Sequence, residues 1–170
     1  MFLNKLSIEQ KLAFLSLAHH VAKVDGVFED SEKAMLEYYA LEMNLEHDVK
    51  NLSYPKLGNI SSAALAFTGA LGAVLGGVAG NALASLEQSN NKFDLNACLD
   101  LFVDAESKKI LVLEILAMIY SNDEYHKEQQ NVMEYILDYF DISSYLVTVY
   151  TEWAKTMISL QRQGNALIHL

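Results

Sequence analysis

The sequence is poor in proline and cysteine, and each shortage limits the class of protein. Its 170 residues include one proline, which indicates a mainly helical chain because helix interiors exclude proline. The single cysteine, Cys98, cannot form an internal disulfide, so we expect a reducing compartment. The N-terminal sequence lacks the apolar stretch of a secretory signal. The expected location is therefore the cytoplasm.

Basic residues are also scarce. The chain has 12 Lys and Arg against 22 Asp and Glu, for a formal net charge of −10. This balance argues against a nucleic-acid partner, because phosphate binding needs clustered basic side chains. It also disfavours docking on anionic lipid by charge alone. It is compatible with a bound cation or a basic protein partner.

The usual catalytic motifs are missing. There is no HExxH or CxxC spacing for zinc, no GxSxG for a nucleophilic serine, and no phosphate-binding loop. The sequence therefore predicts a protein that is not an enzyme. A metal-dependent hydrolase would need His19 or His20 to converge with Asp25 and Glu32 in a cleft.

The chain contains one pattern twice. Residues 12–43 and 110–141 align without a gap, 98 residues apart. Each copy has an apolar helix, a corner containing an aspartate (Asp25 or Asp123), and a second amphipathic helix. Such a duplication predicts a pseudo-twofold fold built from two helical hairpins.

Helix signals extend this pattern to the whole chain. Ser7 and Gln10 have the spacing of a capping box, and the helix that they open is predicted to end near Asp25-Gly26. We expect a compact all-α bundle of about seven helices and no sheet. The next predicted helices span about 29–45, 47–52, 94–103, 107–121 and 128–140. A last helix is predicted to begin after a cap at Ser143 or Ser144 and to end near Gly164. As one domain, the chain divides into repeat one (7–52), an insertion (58–90), repeat two (94–142) and a C-terminal helix (143–163).

The insertion is unlike the rest of the chain. No charged residue lies between Lys56 and Glu87, and Gly72, Gly76 and Gly80 form a glycine zipper, GxxxGxxxG, whose narrow face lets another helix approach closely. Residues 60–83 would make a helix about 36 Å long, enough to cross a hydrocarbon core. Close packing inside a soluble protein or in a dimer interface is the preferred interpretation. The alternatives are that this segment associates with a membrane or crosses it. A single crossing would place the two repeats on opposite sides of the membrane.

Acidic side chains cluster at both corners. Hard cations such as calcium prefer several oxygen ligands from carboxylates on a loop. The sequence therefore suggests a metal site at each corner, or one shared site if symmetry brings the corners together. Helix capping is the simpler explanation, because acids in a first turn complement the helix dipole. The candidate ligands are Asp25, Glu29, Glu32, Asp123 and Glu128, with His126 nearby and Gln130 at the position of Glu32 in the second copy.

These corners resemble those of the TerB-like family, named for a bacterial tellurite-resistance protein. The resemblance rests on Val24-Asp25-Gly26 with Glu32, on Asp123, and on the run from Asp104 that leads into the second copy. It implies a pseudo-twofold helical domain with an acidic surface, associated with bacterial stress resistance and suspected of binding metal ions or protein partners. It favours a non-enzymatic binding or scaffold module that binds a divalent cation and associates with a protein partner or with itself. The alternative is a membrane-associating protein whose glycine-zipper insertion inserts or oligomerises.

Overall fold

The described part of the chain is entirely helical. The structure, a computed structural model, describes residues 2–26, 30–43, 93–121 and 126–169. Within these ranges there is no strand, which confirms the all-α fold class. The predicted helix at 47–52 and the glycine zipper lie outside the described residues, so the count of seven stays a prediction. After a 3-10 turn at Leu3–Lys5, the helices are α1 (Ile8–Lys23), α2 (Asp30–Glu42), α3 (Leu95–Leu99), α4 (Ala105–Ile119), α5 (Lys127–Tyr139) and α6 (Ser144–Ile168).

Side-chain caps set the first residue of several helices. The Ser7 hydroxyl accepts the Gln10 N–H at 3.3 Å, and the Gln10 side-chain oxygen accepts the Ser7 N–H at 3.0 Å, which confirms the predicted capping box. Asp104 caps α4 by accepting the Ser107 N–H at 2.8 Å. Helix α4 therefore begins at Ala105, and the prediction of a helix start at Ser107 was wrong. Ser143 caps α6.

Removal of the α1 cap should destabilise the protein. We expect Ser7→Ala to cost about 1 kcal/mol of unfolding free energy, because the Gln10 N–H loses its acceptor at a helix N-terminus. Urea denaturation of both proteins measures the difference. Ser144→Ala is the matched control, because Ser144 follows the cap of α6 and does not serve as it. Equal losses in the two variants would contradict the cap's contribution.

Two helix ends differ from the prediction. Helix α3 ends at Leu99 rather than near residue 103, because the Phe102 N–H bonds back to the Leu99 carbonyl in a turn. Helix α6 continues through Gly164 to Ile168. A glycine in a helix interior costs only about 1 kcal/mol relative to alanine, so it does not by itself end a helix. At the first corner, Gly26 has a φ of 85°, as expected for a glycine that ends a helix.

The core forms around α1, which contacts α2, α3, α4 and α5, while α6 packs along α4. The Tyr39 ring meets the Phe14 ring edge-on at 5.2 Å, and its hydroxyl donates to the backbone carbonyl of Glu114 at 2.6 Å. Tyr39 thus joins α2 to both α1 and α4. Cys98 is also buried, its thiol donates to the Ala13 carbonyl at 3.2 Å, and burial raises its pKa to about 12.

Within the described ranges, none of the helices combines the length and the apolar character needed to cross a bilayer. The segment 60–83, which carried that prediction, lies outside these ranges.

Candidate functional site

The two corners of the helical hairpins meet in space. Asp25 follows α1, and His126 immediately precedes α5. The Asp25 Oδ2 atom lies 3.6 Å from the His126 Nε2 atom, and the Asp25 side chain is only 7% exposed. The structure therefore brings one side chain from each corner into the same place, as a shared site would require.

A second pair links the same corners deeper in the protein. Glu32 in α2 is 1% exposed and Gln129 in α5 is fully buried. The Gln129 Nε2 atom donates to the Glu32 Oε1 atom at 2.7 Å. The Gln129 Oε1 atom is also buried, and among the described residues it accepts no hydrogen bond. A buried polar atom without a hydrogen-bond partner costs about 1–3 kcal/mol of stability, so a ligand that bonded to this atom would be favourable.

The start of each second helix explains this geometry. Glu32 is the third residue of α2, and Gln129 is the third residue of α5. His126 lies three residues before Gln129, so both side chains are on the same side of the helix start. The fold thus places two side-chain contacts between the corners, the Asp25–His126 pair and the Glu32–Gln129 pair.

The predicted site residues have different positions relative to this junction. Asp25 and Glu32 are part of it, whereas Glu128 is exposed on α5. Glu29 and Asp123 lie outside the described residues. Gln130, predicted to be the counterpart of Glu32 in the second copy, is only half-buried, and Gln129 is the α5 residue that contacts Glu32. Within the described ranges, no three His, Cys, Asp or Glu side chains form a group that could hold a metal ion. Asp25, Glu32 and His126 all lie within these ranges, so these three side chains alone do not form a metal-binding group.

The adjacent histidines of α1 lie at the edge of the core. Burial, together with the nearby Lys23 and His20, lowers the pKa of His19 to about 4. The His20 ring stacks on the Phe93 ring at 4.5 Å, and burial lowers its pKa as well. Both rings therefore favour the neutral form at neutral pH.

A buried carboxyl group in α4 was not predicted from the sequence. Glu114 is fully buried, and its Oε1 atom accepts the Phe2 N–H at 2.7 Å. Burial, partly offset by the Phe2 hydrogen bond, raises the pKa of Glu114 to about 7. This residue titrates near neutral pH, away from the corners.

A groove of about 310 Å³ separates α2 from α6. At its end, the Arg162 Nη2 atom donates to the Ser121 carbonyl at 2.7 Å, which ties α6 to the end of α4. Its walls are Ser31, Ala34, Met35, Tyr38, Ser121, Ile158, Gln161, Arg162 and Asn165.

No protein-family model matches the chain, and neither a curated protein nor a solved structure does.

Proposed function

We propose that this protein is a non-enzymatic binding and scaffold module, similar to TerB-like stress proteins, that binds a divalent cation where its two corners meet. The observation that carries the proposal is the buried, unpaired Gln129 Oε1 atom beside the buried Glu32 carboxylate. The Asp25–His126 pair joins the same two helical hairpins.

The chemistry of this junction suits a hard cation. Calcium takes six to eight oxygen ligands at about 2.3–2.6 Å, from carboxylates and from amide carbonyls. Asp25 and Glu32 supply carboxylates, and Gln129 supplies an amide oxygen. The bond from the Gln129 Nε2 atom to Glu32 would hold that amide in position while its oxygen binds the ion.

An internal repeat with a spacing of 97 residues supports one shared site over two separate ones. The caps Ser7 and Asp104 are 97 positions apart, and so are the first residues of α1 and α4 and those of α2 and α5. Glu32 and Gln129 have the same separation and contact each other. If the two hairpins are copies, equivalent residues in contact would lie on a pseudo-twofold axis, where only one site can form.

The proposed cellular role follows from the same features. A net charge of −10 and the resemblance to TerB-like proteins favour a cytoplasmic bacterial stress protein that acts by binding a protein partner or a second copy of itself. The alternative, membrane association through residues 60–83, rests on a segment outside the described residues.

Calcium should stabilise the protein, and this stabilisation should depend on the junction. At a concentration of 100 times its Kd, a ligand adds about 2.7 kcal/mol to the unfolding free energy. We expect Ca²⁺, and more weakly Mg²⁺, to raise the Tm of the parent protein. Asp25→Asn combined with Glu32→Gln should abolish the shift, and Gln129→Leu should reduce it because the amide oxygen is lost.

Glu128→Gln is the matched control, because this acid is adjacent to Gln129 but exposed. It should retain the full calcium shift, and calorimetric titration of each variant should give the same ranking. A parent Tm that neither ion changes would contradict the proposal. An equal shift in all variants would also contradict it, because the ion would then bind elsewhere on the acidic surface.

A further inference from the structure

The groove between α2 and α6 has an apolar floor. Met35 of α2 and Ile158 of α6 line it and are each 6% exposed, and Tyr38 stands beside them with its ring 46% exposed. A methionine thioether and an aromatic ring both make favourable contacts with another aromatic ring. The floor of the groove therefore suits a small aromatic group.

The charge in this groove is opposite to that of the protein as a whole. Arg162 is the only arginine in a chain with a net charge of −10, and it is the only charged residue among the described walls of the groove. Its Nη2 atom donates to the Ser121 carbonyl, which holds the guanidinium at the end of the groove. A guanidinium has five N–H donors in a planar fork that matches a carboxylate. This end of the groove therefore suits a carboxylate group.

A hydroxyl group lies next to this guanidinium. It belongs to Ser121, the same residue whose carbonyl accepts the bond from Arg162. The Ser121 Oγ atom is buried and, in the part of the chain that the structure describes, has no hydrogen-bond partner. Buried polar groups are nearly always hydrogen-bonded. Because a serine hydroxyl moves by rotation about a single χ angle, it can turn to donate to a carboxylate held by Arg162.

We propose that this groove binds a small aromatic carboxylate, with its ring on the apolar floor and its carboxylate on Arg162. A volume of about 310 Å³ is at the lower end of the range for small-molecule sites, which fits a ligand of one ring. The groove is separate from the proposed calcium site, because none of its described walls belongs to the Asp25–His126 pair or the Glu32–Gln129 pair.

Titration of the full-length protein with phenylacetate tests this site. Phenylacetate has one ring and one carboxylate, and for a ligand of this size we expect a Kd on the order of 1 mM. In isotope-labelled protein, the amide chemical shifts of Ala34, Tyr38 and Ile158 should change saturably. Those of Leu41, which is exposed on α2 but is not a wall of the groove, should stay constant.

Two analogues separate the charge from the ring. Phenylacetamide keeps the ring without the charge, and acetate keeps the charge without the ring. Each should bind at least about tenfold more weakly than phenylacetate, because one loses the charge-assisted bonds and the other loses the apolar contact.

Variants separate the groove from the general effect of charge. Arg162→Gln should raise the Kd for phenylacetate at least about tenfold, because the guanidinium is lost. Lys155→Gln is the matched control, because Lys155 is another exposed cation of α6 but does not line the groove, and it should leave the Kd unchanged. Ala34→Leu adds a larger side chain in the middle of the α2 wall while keeping Arg162, so it should also weaken binding. It gives the comparison if Arg162→Gln does not fold.

Three results would overturn the proposal. The first is an absence of chemical-shift changes at the groove when phenylacetate is present at about ten times the expected Kd. The second is equal binding of phenylacetate and either analogue, because the ring or the carboxylate would then have no site. The third is an equal loss of affinity in Arg162→Gln and Lys155→Gln, because the anion would then respond only to the charge of the surface.

Discussion

Glu114→Gln is expected to increase the stability of the protein at pH 8 by about 3 kcal/mol. Burial raises the pKa of Glu114 from 4.5 to about 7, and each unit of that difference corresponds to about 1.4 kcal/mol. Glutamine has no charge to bury, and its side-chain oxygen can still accept the Phe2 N–H. The variant therefore keeps the contact and removes the cost of ionisation.

The pH dependence of this gain has a defined sign. Between about pH 4.5 and 7, folded Glu114 holds a proton that the unfolded chain has lost, so the stability of the parent falls as the pH rises. The gain from Glu114→Gln should be near zero at pH 4, grow through this window and level off above pH 7. His19, with its pKa lowered to about 4, has the opposite effect but is present in both proteins. The difference between the two proteins thus isolates Glu114.

Urea denaturation at pH 4.5, 6 and 8 measures this difference. Glu106→Gln is the control on the same helix, because Glu106 is exposed and pairs with Lys5 at the surface. It should change stability little at any of the three pH values. A gain from Glu114→Gln that is the same at pH 4.5 and pH 8 would contradict a raised pKa in the folded state.

Phe14→Ala is expected to remove about 3–5 kcal/mol of unfolding free energy, the usual cost of deleting a buried phenylalanine ring. Phe14 is fully buried in α1, and its ring supports the edge of the Tyr39 ring. Tyr39 also bonds to the Glu114 carbonyl, so the Phe14 ring lies close to the point where α1, α2 and α4 meet. Loss of the ring leaves a cavity there. For a domain with a total stability of about 5–15 kcal/mol, this is a large fraction.

Chemical denaturation of a graded series checks this result. Phe14→Leu should cost less than Phe14→Ala because it keeps most of the apolar volume. Leu41→Ala, on the exposed face of α2, should have little effect because Leu41 is 63% exposed. Similar losses for Phe14→Ala and Leu41→Ala would mean that the contact between α1 and α2 does not belong to the core.

Local features of the fold could be predicted from the sequence. The capping box of Ser7 and Gln10, the end of α1 shortly before Gly26 and the helical class depend on neighbouring residues, whose spacing is visible in the chain. The start of α4 was missed because an Asp-Ala-Glu run suits a turn as well as a first helical turn. Asp104 is in fact an N-cap, and its spacing of three to Ser107 was the available signal.

The candidate site was predicted less well, for reasons of register and packing. The ungapped alignment at 98 residues makes Gln130 the counterpart of Glu32, whereas the α5 residue that contacts Glu32 is Gln129. A shift of one residue turns a helical side chain by about 100°. Aligning the caps Ser7 and Asp104 gives 97 and selects Gln129. The sequence also left open whether the corners meet. That depends on how the hairpins pack, which is set by distant contacts such as the one between Tyr39 and Glu114.

The buried pair at the corner junction has a consequence for the origin of the protein. If the two hairpins are copies, as proposed, an ancestor made of two identical chains would have placed two glutamates or two glutamines face to face. Two buried carboxylates repel each other, and one of them would have to take up a proton. Fusion into one chain lets the halves diverge, so that Glu32 can face the amide of Gln129. A symmetric homodimer of either hairpin cannot reproduce this mixed pair, so the present junction depends on both halves being encoded in one polypeptide.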